Sequence, residues 1–141
     1  MKYKVLITTS GIGSRLGKIT NYTNKCLVRV GKKPTISHII DNYPKDSEFI
    51  ITLGYYANQV KDYLELAYPS HNFKFVNVTK YKGPGSSLLY SLLKAEKFLQ
   101  SPFIFHACDT ITKEPVQLPD HNWIAGVISE NKDSSSYASL S

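Results

Sequence analysis

The stretch Thr8–Gly17, TTSGIGSRLG, directly follows the apolar run Tyr3–Ile7. Three glycines let the backbone turn tightly and come close to a ligand, so that successive N–H groups can face phosphate oxygens. Ser14 adds a hydroxyl donor, and the Arg15 guanidinium can fork onto non-bridging oxygens. Such charge-assisted hydrogen bonds contribute roughly 1.5–3 kcal/mol each. The composition of this loop therefore suits an anionic ligand.

Two familiar glycine loops fit poorly. A P-loop requires GxxxxGK[ST], and no Lys-Ser or Lys-Thr follows a glycine here. The dinucleotide fingerprint requires GxGxxG, whereas this loop reads Gly11-x-Gly13-x-x-x-Gly17. The acid expected after the second strand is replaced by Gly54-Tyr55-Tyr56. A nicotinamide-dependent oxidoreductase domain is thus a disfavoured alternative.

The elements that would carry this loop alternate regularly. Strands are expected at Tyr3–Thr9, Phe49–Leu53, Phe73–Val78, Phe103–Ala107 and Trp123–Ser129. Pro34 is placed to open a helix bearing Ile36, Ile39, Ile40 and Tyr43 at helical spacing. Ala57, Val60, Leu64 and Ala67 predict a second helix that stops before Pro69. Ser86 or Ser87 is placed to cap a third, with Leu88, Leu92, Ala95 and Leu99 on one face. The alternation predicts an α/β fold: a three-layer Rossmann-like sandwich with a mostly parallel sheet. In such sheets ligands gather at the carboxyl ends of the strands, which is where Ser10–Leu16 falls.

Composition sets further bounds. The 141 residues are enough for one domain, expected to occupy 1–130, followed by a polar, serine-rich tail at 131–141. The 42% hydrophobic and 20% charged fractions are ordinary for a globular protein. No apolar run is long enough to span a bilayer, and no signal peptide opens the chain, so a cytoplasmic location without membrane partners is expected. Cys26 and Cys108 stand alone and predict neither a disulfide framework nor a zinc site. The net charge of +6 suits small anions as well as nucleic acid. The basic residues are scattered without interleaved aromatics, and no nucleic-acid partner is expected.

The segment SGIGSRLGKITNYTNKCLVRVGKKP resembles the signature of the sugar-phosphate nucleotidyltransferases, which reads roughly GGxGTRLxPxTxxxPKxLxxVxxKP. Gly11, Gly13, Arg15, Leu16, Thr20, Lys25, Leu27, Val30, Lys33 and Pro34 match at the same spacing. The likeness continues through FIITLGYYANQVKDYL, GPGSSLLYSLLKAEKFL and PFIFHACDT, the last standing where the family has a strand ending in Gly-Asp.

The resemblance implies a GT-A-like nucleotidyltransferase fold and transfer of a nucleoside monophosphate from an NTP to a sugar 1-phosphate or phosphocholine. Pyrophosphate is released. It further implies that Thr9, Ser10, Gly11, Gly13 and Ser14 hold base and phosphates, with Gly83 against the base. Arg15 would grip the pyrophosphate, Lys25 would stabilise charge on the α-phosphate, and Asp109 would hold Mg²⁺. NTP and a phosphorylated acceptor are the expected partners, with self-association left open.

Four positions depart from the family pattern: Ser10, Asn24, Pro84 and Cys108. The family also carries its sugar pocket and a second metal-binding aspartate in a stretch beyond the position of Ser141. The resemblance therefore implies a truncated, nucleotide-binding half, expected to bind weakly and to catalyse poorly alone. A non-catalytic nucleotide-binding module of the same fold is the nearest alternative.

Overall fold

The computed structural model describes residues 3–125. Four parallel strands form the main sheet: β1 (Lys4–Thr8), β4 (Glu48–Leu53), β5 (Asn72–Asn77) and β6 (Phe103–Ala107). Two short strands, β2 (Arg29–Val30) and β3 (Lys33–Pro34), pair as a separate antiparallel hairpin. The helices are α1 (Thr35–Ile40), α2 (Ala57–Ala67) and α3 (Leu88–Lys94). Pro34 precedes α1 as its cap residue, and Ser87 caps α3 by accepting the Tyr90 N–H at 3.0 Å.

The sheet order is β5-β4-β1-β6. The chain leaves β1 toward β4 and β5, then crosses back to place β6 on the other side of β1. The ends of β1 and β6 are therefore the point where connections diverge, and loops there leave a crevice. The strands alternate in facing: Val5 and Ile7 join Phe49, Ile51, Ile36, Ile40, Val60 and Leu64 on one face. Leu6 and Ile50 face the other way, against Ala95 of the segment following α3. Helices thus cover both faces, as the alternation predicts. Of the expected apolar face, Leu92, Ala95 and Leu99 pack against Leu6 and Ile50, while Leu88, at the start of α3, is half exposed and Ser91 is the buried residue of the helix. The described part of the fifth expected strand, Trp123–Ala125, is irregular; its other positions, and the tail at 131–141, lie outside the described residues.

Three contacts hold the strand ends together. First, Asn24 is fully buried. Its Nδ2 donates to the Thr9 carbonyl at 2.6 Å and to the Tyr55 carbonyl at 2.7 Å, and its Oδ1 accepts from the Cys26 N–H at 3.0 Å. Second, Gly54 lies so close to the loop after β1 that an added Cβ would stand 2.8 Å from the Ser10 carbonyl oxygen and 2.9 Å from Tyr81 Cβ. Only glycine fits that approach. Third, His106 is buried on β6: Nδ1 accepts from the Tyr43 hydroxyl at 2.7 Å, and Nε2 donates to the Thr110 carbonyl at 2.6 Å. These partners fix the tautomer, and burial holds the imidazole below its ordinary pKa.

Two outcomes follow. Asn24→Ala takes the side-chain partner from the buried Thr9 carbonyl and Cys26 N–H and from the partly buried Tyr55 carbonyl, so it should destabilise the fold by about 3 kcal/mol. A fall of roughly 10 °C in Tm by scanning calorimetry is the expected reading. His106 is neutral when folded and protonates more readily when unfolded. Its contribution is therefore complete above the unfolded value and lost as pH falls through the folded one. Urea midpoints should drop between about pH 7 and pH 5, and the drop should be smaller in His106→Gln.

Candidate active site

The loop after β1 and the turn after β6 meet at the crevice between these strands. Lys25 opens a short 3₁₀ turn, Lys25–Leu27, directly after the buried Asn24. Its ammonium lies 3.6 Å from Asp109 Oδ2, in the turn that β6 feeds. Lys25 is 28% exposed and Asp109 is 61% exposed, so the pair stands at the surface of the crevice. The His106 bond to Thr110 and the Thr110 N–H bond to the Ala107 carbonyl, at 3.2 Å, close the turn that carries Asp109.

Beside this pair is a cleft of about 250 Å³, with Thr8, Ser10, Gly11 and Lys25 on one wall. Lys80, Ser87 and Ser91 are among the residues of the other. Ser10 and Ser91 are both buried and share a hydrogen bond of 2.9 Å between their hydroxyls, which joins the β1 loop to α3. Ser10 has no positive φ, so a side chain costs nothing there and supplies this link. Gly11 also lacks a positive φ, and an added Cβ would meet nothing within 4 Å. Its bareness keeps the cleft wall open. Among the described residues, no acceptor is found for the backbone N–H of Gly11, Ile12 or Gly13.

The other expected residues are distributed as follows. Gly13 has φ +64° and packs against the Lys25 stem, where an added Cβ would stand 3.1 Å from Lys25 Cβ. Here glycine is required twice, by conformation and by space. Ser14 and Arg15 begin the 3₁₀ stretch Ser14–Asn21 and are exposed. Thr20 fastens that stretch by donating to the Gly13 or Gly17 carbonyl, each at 3.1 Å. Arg15 is outside the cleft lining and Thr9 is fully buried, its hydroxyl donating to the Thr52 carbonyl at 2.6 Å. Gly83 lies in the exposed loop before α3 with φ +75°. The structure thus brings Lys25, Asp109, Ser10 and Gly11 together and turns Thr9 inward.

Cys26 and Cys108, the neighbours of Lys25 and Asp109, are buried in the core. Burial pushes the Cys26 thiol well up and the Cys108 thiol to about 11, so both remain protonated and unreactive. Sequence reasoning missed the roles of Asn24, Gly54 and Lys80. Their signals were weak singly: one amide, one glycine and one surface lysine. The Gly54 position after a strand was the most readable of these.

Among the described residues, no cluster of three His, Cys, Asp or Glu could enclose a metal ion. Also among them, no helix is long and apolar enough to cross a membrane.

No family model matches the chain. It is 39% identical over 62 residues to a probable glucose-1-phosphate cytidylyltransferase of Bacillus subtilis, covering 43% of this chain and 24% of that protein. It is 30% identical over 112 residues to a choline-phosphate cytidylyltransferase of Streptococcus pneumoniae, covering 78% and 46%. A solved CTP:phosphocholine cytidylyltransferase from Streptococcus pneumoniae superposes with a TM-score of 0.65 at 26% identity, covering 86% of this chain and 51% of that one. The chain spans less than half the length of these curated relatives. The chain thus shares its glycine loop, its doubly wound sheet and part of its sequence with nucleotidyltransferases: both curated relatives, and the superposed structure, are cytidylyltransferases.

Proposed function

We propose that this chain binds a nucleoside triphosphate in the crevice between β1 and β6 and supplies the nucleotide side of a nucleotidyl transfer. The observation that carries the reading is the approach of Lys25 to Asp109 beside the open wall made by Ser10 and Gly11. The names of the relatives, both cytidylyltransferases, favour CTP as the nucleotide and a sugar 1-phosphate or phosphocholine as the acceptor.

In this reading an acceptor phosphate oxygen attacks the α-phosphorus in line, and the bond to the pyrophosphate oxygen breaks. Such transfers need positioning and neutralisation of charge more than covalent help. Lys25 places an ammonium against the α-phosphate oxygens. The unpartnered amides of the loop after Ser10 donate to phosphate. Arg15, exposed at the start of the Ser14–Asn21 stretch, takes the departing pyrophosphate, and Gly83 leaves room beside the base.

The site's chemistry suits Mg²⁺, which is commonly held by one or two carboxylates together with substrate phosphates and water. Asp109 offers one accessible carboxylate, with Lys25 3.6 Å away as its charged partner. Bound there, the ion would neutralise phosphate charge. Asp109 would hold it, and Lys25 would be left to face the nucleotide.

Thermal-shift measurements with each of the four NTPs, with and without Mg²⁺, test the reading. CTP with Mg²⁺ should raise Tm, and no shift with any NTP would overturn it. Lys25→Ala and Asp109→Asn should each weaken CTP·Mg²⁺ binding about tenfold or more. Gly11→Ala should keep the Tm of the free protein while weakening CTP, because its methyl enters the cleft.

A further inference from the structure

The charged side chains lining the cleft are Lys25 and Lys80. Lys25 is paired with Asp109, so their charges cancel before any ligand arrives. Lys80 has no carboxylate within ion-pair distance among the described residues. It is therefore the charge that makes the cleft positive overall, and a nucleoside triphosphate carrying one divalent cation remains anionic.

The backbone around Lys80 is held on both sides. Val78 is buried, and its N–H donates to the Leu53 carbonyl at 2.6 Å. Tyr81 packs its Cβ against Gly54, the same glycine that touches Ser10. Lys80 itself is exposed between these anchors. Its stem passes over Gly85, where an added Cβ would come within 3.9 Å of Lys80 Cδ. Gly85 has φ +86°, a conformation that favours glycine, so the loop leaves the lysine stem its path. An ammonium on a short loop fastened at both ends loses less freedom on binding than one on a free loop.

We infer that Lys80 is a phosphate-binding residue of this cleft, whose ammonium contacts the nucleotide's phosphate oxygens from the wall opposite Lys25. The inference rests on the nucleotide reading above and deepens it: the site takes its anion between two lysines, one paired with an acid and one unpaired. Lys80 stands outside the signature segment, on the second glycine-rich loop, so the nucleotide is held from both loops.

The test compares the unsubstituted chain with Lys80→Ala, Lys80→Arg and Lys25→Ala by calorimetric titration with CTP·Mg²⁺. Cytidine, which has no phosphate, is followed in parallel by ligand-observed NMR. Lys80→Ala should weaken CTP·Mg²⁺ about ten- to a hundredfold. Cytidine binding should be unchanged, and Lys80→Arg should restore most of the lost affinity. Tm should be unaltered, since the side chain is exposed. Unchanged CTP affinity in Lys80→Ala, beside a loss in Lys25→Ala, overturns the inference and leaves the nucleotide reading standing. An equal loss for cytidine also overturns it, because the contact would then lie with the nucleoside. Absence of CTP binding in the unsubstituted chain sinks both.

Discussion

One buried amide governs the arrangement of this site. Asn24 has no exposure to solvent, and each of its polar atoms is engaged. By donating to carbonyls at the ends of two neighbouring strands, it fixes the distance between the loop after β1 and the loop after β4. By accepting from Cys26, it sets the direction in which the chain leaves, and Lys25 lies within that turn. A buried amide of this kind stabilises only when fully satisfied, since any orphaned partner costs about 1–3 kcal/mol. A proline at this position could make none of these side-chain bonds. The departure from the family pattern at Asn24 thus has a structural role here.

Ser10 works the same way. Reading it as a lost glycine suggests a stiffer loop. Its backbone is ordinary, however, and its hydroxyl meets Ser91 across the mouth of the sheet. The pair ties the signature loop to the helix that follows the second glycine-rich loop. The bond thus joins the two sides of the cleft through residues 81 positions apart in the chain.

Much of this was legible because it rests on local rules. Phe103–Ala107 is the strand that its apolar run predicts, and α2 covers the span marked by Ala57 and Ala67. Lys25 and Asp109 were nameable through the motif. Their meeting in one site is implied by that motif alone; no local pattern shows it, because it depends on β6 pairing with β1. The same holds for Thr9, whose hydroxyl is drawn inward by the Thr52 carbonyl on the next strand. The partners of His106 are likewise tertiary: Tyr43 comes from the segment after α1 and Thr110 from the turn beyond β6. On α3 the expected face holds at Leu92, Ala95 and Leu99, while the inward place of Ser91 depends on its bond to Ser10, which no local pattern announces.

The strand order has a kinetic meaning. β1 is synthesised first, yet it acquires β6 as its partner only across about a hundred residues of intervening chain, a closure of high contact order. The β1–β4 and β4–β5 pairings close shorter loops and face a smaller entropic barrier. The ammonium and the carboxylate of the crevice therefore become neighbours only with the most distant pairing of the sheet.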